Sequence, residues 1–189
     1  MKVLVAPDWF GVDLAAAEAA DAVALGWLRS APYDELDLLP LSDGGPGFVD
    51  VLGTALGGQV GVVTVRGPLG DPVPARVLHV GDTAYVEAAE AVGLHLVAPE
   101  ARDAVASSSY GVGELLLAAA ATGVHRVVVG VGGTATTDGG RGLVAAVAAG
   151  FVHGRMGTGR QSSCPLPRSS RIGGEREQAE DRRCARMRG

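Results

Sequence analysis

Blocks of apolar and polar positions along the first third of the chain predict a β-α-β-α order. Val3–Ala6 is a short, wholly apolar run with a β-branched bias, the pattern of a buried strand. Asp13 stands as an N-cap before Leu14–Arg29, whose Ala, Leu and Glu content is strongly helical. Leu36–Leu41 reads as a second strand, and Gly47–Leu56 as a second helix stopped by Gly57–Gly58. This order belongs to parallel strands joined by crossover helices. The pattern then changes. Gln59–Arg66, Pro72–Val80 and Thr83–Glu87 are strand-like stretches about ten residues apart, separated by Gly/Pro/Asp turns, and predict an antiparallel meander. Gly111–Thr122 returns to helical character and Arg126–Val131 is a very apolar strand. A glycine-rich loop over 132–142 then leads into a helix at Leu143–Ala149. The expected domains are an α/β body over 1–58 and 106–150 and a β-rich insert over 59–105.

Composition separates the last residues from this body. Residues 1–150 carry 7 Lys+Arg against 17 Asp+Glu, a net charge of −10. Residues 151–189 carry nine arginines and four acids, a net of +5, and both cysteines, Cys164 and Cys184. Only 10 of those 39 residues are apolar, with neither a helical nor a strand period, so the segment is expected to be a disordered basic tail. Its Arg, Gly, Ser and Pro content has the character of a GC-rich gene translated in a shifted frame. The two cysteines, twenty residues apart with no ligand nearby, give no metal signature.

The acidic body argues against nucleic acid, since phosphate binding needs clustered cations and Lys2 is the only lysine. The apolar run Gly142–Val152 is about half the ~20 residues that a membrane-spanning helix needs. Val3–Ala6 stops at Pro7–Asp8, too short for a signal-peptide core. These features lead to the expectation of a cytoplasmic chain acting on a small molecule.

The richest chemistry lies in Val127-Val-Val-Gly-Val-Gly-Gly-Thr-Ala-Thr-Thr-Asp-Gly-Gly-Arg-Gly142, with six glycines between 130 and 142. Glycines let backbone N–H groups approach a ligand, and the helix that follows favours an anion at its N-terminus. Thr134, Thr136 and Thr137 add hydroxyls, Arg141 a cation and Asp138 a carboxylate, a set suited to phosphate with its metal. A tight strand–helix connection is the plainer alternative. The Gly-Lys-Ser/Thr of a P-loop is absent. Gly130-Val-Gly132-Gly-Thr-Ala135 has the form of the dinucleotide fingerprint, but the next acid after Asp138 is Glu175, not one some twenty residues beyond the motif. Ser42-Asp43-Gly44-Gly45-Pro46-Gly47 is a second loop between strand and helix, and Asp8 follows the first strand. In an open parallel sheet ligands bind beyond the carboxyl ends of the strands, so Asp8, Asp43 and Asp138 are expected on one rim. Carboxylates there can hold Mg²⁺ or accept a hydroxyl proton; singly, each is equally a turn residue. Ser107-Ser-Ser-Tyr-Gly111 is a third hydroxyl–glycine loop, where Ser108 and Ser109 are either ligand groups or caps. Glu87 and Glu90 are candidate inward carboxylates, although a solvated face is the commoner explanation; His79, His95 and His125 lack ligand spacing.

Six stretches in order carry a family resemblance: Val-Leu-Val-Ala-Pro-Asp8, Leu-Pro-Leu-Ser-Asp-Gly-Gly45, Gly67-Pro-Leu-Gly-Asp-Pro72, Glu90-Ala-Val-Gly-Leu-His-Leu-Val97, Tyr110-Gly-Val-Gly-Glu-Leu115 and Gly132-Gly-Thr-Ala-Thr-Thr-Asp-Gly-Gly140. Across residues 1–150 the chain resembles the bacterial glycerate kinase family, which phosphorylates glycerate with ATP. The resemblance implies an α/β fold, a Rossmann-like parallel sheet with helices interrupted by a smaller β-rich domain. It also implies ATP with Mg²⁺ and transfer of the γ-phosphoryl to a glycerate hydroxyl. Carried onto this chain, Asp43 and Asp138 divide the roles of orienting or deprotonating the hydroxyl and serving Mg²⁺. Asp8, Gly44, Gly45, Ser108, Ser109, Gly132, Gly133, Thr134, Thr136, Thr137, Gly139, Gly140 and Arg141 are the implied phosphate and substrate contacts.

The chain departs from the family pattern in several places. Trp9-Phe10-Gly11-Val12 stands where Ser-Phe-Lys-Gly is usual, so a lysine that would neutralise phosphate or substrate charge is missing. Pro46 replaces a common Glu and Thr137 a common Asn. Family members are about twice as long, and their later Thr-Gly-Glu-Gly type motif is absent after residue 150. The fold is therefore expected to be incomplete relative to the family. A non-catalytic ligand-binding remnant and, further off, a dinucleotide-dependent enzyme are the competing readings.

Overall fold

The computed structural model describes residues 1–11 and 14–152. Asp13, the expected cap of the first helix, and the basic segment expected to be disordered beyond residue 152 lie outside the described residues.

Strand β1 (Lys2–Val5) pairs in parallel with β2 (Glu35–Leu38), connected through helix α1 (Ala16–Ser30). The register sets Val3 opposite Leu36 and Val5 opposite Leu38. α1 buries Ala16, Ala19, Ala20 and Ala24, an i, i+3, i+4, i+8 stripe of small side chains that permits close approach to its neighbours. Helix α2 (Phe48–Leu56) follows, with Gly47 as its N-cap at φ 90°. No helix among the described residues is long and apolar enough to cross a membrane.

The meander forms as the sequence predicts: β3 (Gln59–Arg66), β4 (Pro72–Val80) and β5 (Thr83–Glu87) pair antiparallel in succession. From β5 the chain runs through α3 (Ala88–Val92), two short 3₁₀ turns and α4 (Tyr110–Ala121) to β6 (Arg126–Gly130). β6 lies parallel to β5, with Thr83 opposite Arg126 and Glu87 opposite Gly130. The resulting order is β3-β4-β5-β6, so one sheet crosses the boundary expected near residue 105. The physical reason is a βαβ crossover from β5 through α4, which returns the chain alongside the strand it left. The protein is thus of the α/β class, with its parallel pairs divided between a two-stranded and a mixed four-stranded sheet.

The main core lies between the four-stranded sheet and α3 and α4. Val65, Ala75, Val77, Ala84 and Val86 contribute from the strands, and Ala88, Ala91, Val92, Val112, Leu115 and Ala119 from the helices. α5 (Arg141–Val152) packs on α4 at glycines. A Cβ at Gly113 would fall 2.6 Å from both the Ala146 methyl and the Leu143 carbonyl oxygen. That contact brings the N-termini of α4 and α5 together.

A candidate active site at two facing loops

The β2–α2 loop and the beginning of the β6–α5 loop pack backbone against backbone. A Cβ on Gly44 would lie 3.2 Å from the Val131 amide nitrogen, and one on Gly130 only 2.7 Å from the Gly44 carbonyl oxygen and the Phe48 ring. A Cβ on Gly132 would sit 2.8 Å from the Gly45 Cα, and one on Gly133 2.9 Å from the Pro46 ring. Gly44, Gly45, Gly132 and Gly133 are thus brought together, and their missing side chains accommodate a second stretch of chain. Gly44 is doubly constrained, because its φ of 94° also disfavours any other residue.

Asp43 stands exposed on this paired-loop platform. Its Oδ1 accepts the Gly45 N–H at 2.8 Å, an Asx turn that fixes the carboxylate, while the Ser42 hydroxyl accepts the Gly44 N–H at 3.2 Å. Asp8 is also exposed, and accepts the N–H of Trp9 at 2.7 Å. The extension beyond β1 and β2 continues their pairing, with Leu39 N–H donating to Val5 O and Leu41 N–H to Pro7 O, both at 2.8 Å. Asp8 and Asp43 therefore follow the carboxyl ends of neighbouring parallel strands.

Asp138 sits in a second cluster. Its Oδ2 accepts the Ser109 N–H and Oγ–H at 2.9 Å each and the Gly142 N–H at 3.0 Å; its Oδ1 accepts the Gly140 N–H at 3.0 Å. Burial pushes the carboxyl up, but these four donors outweigh it and bring Asp138 down to about 2. The Ser109 hydroxyl also accepts the Leu143 N–H at 2.9 Å, and Ser108 Oγ accepts the Tyr110 N–H at 3.2 Å. Asp138 and Ser109 tie the α4 and α5 N-termini into one unit, a site that favours negative charge. Gly139 and Gly140, at φ 63° and 81°, turn the chain into α5 over open space, and Arg141 is exposed beside them.

The threonines mainly hold the loop. Thr136 Oγ1 donates to the Ser107 carbonyl at 2.8 Å and accepts the Asp138 N–H at 3.2 Å. Thr137 Oγ1 donates to the Ala104 carbonyl at 3.2 Å. Thr134 forms an isolated antiparallel bridge with Gly93. This extended run also separates the Gly130–Ala135 motif from α5, which begins only at Arg141, whereas a dinucleotide fingerprint opens its helix directly.

Glu87, read from sequence only as a candidate inward carboxylate, is 2% exposed at the end of β5. Both its oxygens accept the Gly47 N–H, at 3.2 and 3.1 Å, and Oε2 accepts the Val49 N–H at 3.3 Å, so it anchors the start of α2 and with it the Asp43 loop. Burial raises its carboxyl to about 6; the neighbouring Glu90 charge adds to the rise, while the two amides and Arg76 oppose it. Glu90 also points inward and pairs with Arg76, which reaches Asp50 on α2. The clue in the sequence was two acids within an otherwise apolar stretch, Tyr85-Val-Glu-Ala-Ala-Glu-Ala-Val-Gly93. Among the described residues, no group of three or more His, Cys, Asp or Glu is placed to hold a metal ion.

A glycine-paired platform at the carboxyl ends of parallel strands, with Asp43 exposed on it and the α4 and α5 N-termini joined separately through Asp138 and Ser109, defines a protein of the α/β class. Comparison with known proteins gives the family. The glycerate kinase family model matches residues 3–172. An uncharacterised protein of Mycobacterium bovis is 51% identical over 149 residues, covering 77% of this chain and 39% of the relative. Glycerate 2-kinase of Escherichia coli is 40% identical over 151 residues, covering 79% and 40%. A solved structure from Salmonella typhimurium, assigned as glycerate kinase 2, is 41% identical with a TM-score of 0.61, covering 77% of this chain and 40% of that one. The chain belongs to the glycerate kinase family. It spans about two fifths of the length of the relatives it matches.

Proposed function

We propose that this chain carries the acceptor-side portion of a glycerate kinase, which transfers the γ-phosphoryl of ATP to a hydroxyl of glycerate. The observation that supports this most directly is the fixed Asp43 carboxylate. One oxygen is held by the Gly45 amide, and the side chain is exposed beyond the strand ends. In phosphoryl transfer the protein's part is largely positioning and charge neutralisation. Asp43 is suited to orient the acceptor hydroxyl and take its proton as the new O–P bond forms. Asp138 is suited to a positioning role, since a carboxylate engaged by four donors and titrating near 2 is a poor base. The exposed Arg141 guanidinium beside the turn at Gly139 and Gly140 is suited to a phosphate or carboxylate.

The donor set fits one protein contact to Mg²⁺, through Asp43, because such ions commonly keep one or two carboxylates together with water and nucleotide phosphate. When bound, Mg²⁺ would neutralise charge on the transferring phosphoryl group. Asp138 fits less well, since it would have to release its amide donors.

A second reading, a non-catalytic ligand-binding remnant that retains the loops, is favoured by Trp9-Phe10-Gly11-Val12, which stands where the family resemblance implies a lysine. Glycerate-dependent ADP formation by the chain, with an Asp43→Asn comparison, separates the two. The kinase reading requires turnover that falls at least about a hundredfold in the variant with an unchanged melting temperature. Folded protein that shows no turnover, whether or not it binds ATP, leaves the remnant.

A further inference from the structure

We propose that Glu87 is a positioning residue for Asp43: from the end of β5 its buried side chain seats the start of α2, and through the turn at 44–47 it fixes where the Asp43 carboxylate stands. The inference deepens the kinase reading and rests on it for the role of Asp43. The first turn of a helix leaves amides without intrahelical partners, and a side chain just before the helix usually accepts one of them. α2 has no such cap. Gly47, its N-cap, carries no side chain, while Ser42 and Asp43 are turned back onto their own loop, accepting the Gly44 and Gly45 N–H groups. The missing acceptor is Glu87, 40 residues from Gly47 in sequence. It takes the Gly47 N–H with both oxygens and the Val49 N–H with one.

Three further contacts put the loop on the same seat. Tyr85, two residues earlier on β5, meets the Phe48 ring at a centroid distance of 6.4 Å. Gly130 stands opposite Glu87 in the β5–β6 register, and its lack of a side chain admits the Gly44 carbonyl and the Phe48 ring. Arg76 on β4 forks onto Asp50 in the first turn of α2 and is itself held by Glu90. β2, which leads into the loop, belongs to the two-stranded sheet, so one sheet supplies the loop and the other locates it. Among these contacts Glu87 alone hydrogen-bonds the backbone at Gly47, two residues beyond the amide that holds Asp43 Oδ1. A buried carboxyl raised to about 6 works against stability at neutral pH, which sets its role apart from filling the core.

The test compares the native chain with Glu87→Gln and Glu87→Met, which keep the length of the side chain but leave it one acceptor oxygen or none. Amide hydrogen exchange is measured at pH 7, with the native chain in enough urea to match each variant's global stability, so that general loosening cancels. The Gly45 amide reports the Asp43 turn. In Glu87→Met it is expected to exchange at least about tenfold faster, together with Gly47 and Val49, while amides of the β3–β4 ladder keep the native rate. In Glu87→Gln the same three amides are expected to quicken at least about threefold, which carries the comparison should the Met variant not fold. Quickening at Gly47 and Val49 with Gly45 unmoved would overturn the proposal, because Glu87 would then cap the helix and nothing more. No difference from the matched native chain would overturn it too. Where the chain turns over glycerate, Glu87→Gln is expected to lower kcat at least about tenfold, with the KM for ATP within about twofold of native. In an Asp43→Asn background it should cost nothing further, since both substitutions disable one group. A native kcat in Glu87→Gln, or losses that multiply, would refute the positioning role. A chain without turnover fails the kinase reading alone, and exchange at Gly45 still decides whether Glu87 holds Asp43 in place.

Discussion

Glu87→Gln, followed across pH, tests whether the buried carboxylate beneath the Asp43 loop is costly when ionised. Glu87 is 2% exposed and titrates near 6, against 4.5 for a free glutamate. A folded-state value above the unfolded one means that the native chain binds the proton more tightly. Its contribution to stability is therefore complete below about 4.5 and is lost as pH rises through 6. At about 1.4 kcal/mol for each tenfold change in proton affinity, the displacement corresponds to at most ~2 kcal/mol. The charged groups around it are Glu90, which raises the value, and Arg76, which lowers it and is bound in turn to Asp50. The other displaced carboxyls, Asp34, Asp103 and Asp138, are all held below 3.8 and change their contribution at more acid pH. Urea unfolding followed by circular dichroism at intervals from pH 4.5 to 7 is the assay. The native chain should lose up to ~2 kcal/mol across that range, and the Gln variant should be flat by comparison. Hydrogen exchange at the Gly47 and Val49 amides should quicken in the variant, because a glutamine keeps only one acceptor oxygen. Parallel pH profiles for the two proteins, or native stability that rises through the window, would refute the reasoning.

Two further substitutions probe the α4–α5 junction. Gly142→Ala should cost about 1–3 kcal/mol, since its Cβ would meet the Tyr110 nitrogen at 2.6 Å and Asp138 Oδ2 at 2.9 Å; an unchanged denaturation midpoint would contradict the close packing. Asp138→Asn should destabilise by a similar ~1–3 kcal/mol, because an amide group must face donors that a carboxylate accepts. As its folded value is depressed, native Asp138 contributes above about 3.8 and loses that contribution as pH falls toward 2, a loss that acid unfolding of the Asn variant should lack.

Much of the fold was legible because its elements have clear periods. The meander announced itself through three strand-like runs separated by turn residues, α1 and α4 through helical composition, and α2 through its stop at Gly57–Gly58. The sheet order was not legible. That β6 joins β5 depends on where a crossover helix packs, and Val127–Val129 would read the same beside either sheet. The candidate site divides in the same way. Gly44, Gly45, Gly132 and Gly133 were visible as glycines of ligand-approaching loops, yet their partners proved to be one another. Asp138 was visible as a carboxylate, and two of its four donors lie close by at residues 140 and 142, but the other two come from Ser109, which only the packing of α4 on α5 brings to it.

By itself, then, the sequence determined most of the strands and helices, though not α3, together with the two loops that carry Asp43 and Asp138 and the family to which their motifs belong. These follow from local propensity, hydrophobic period and spacing, all written along the chain. Tertiary structure alone decided which carboxylate was left exposed at the strand ends and which was tied down by amides. It also decided that Glu87 would be buried under the loop. The turns at Asp43 and Asp138 are closed by amides a few residues on, but burial and the Ser109 bonds to Asp138 depend on what arrives from elsewhere in the chain, and no neighbour in sequence announces them.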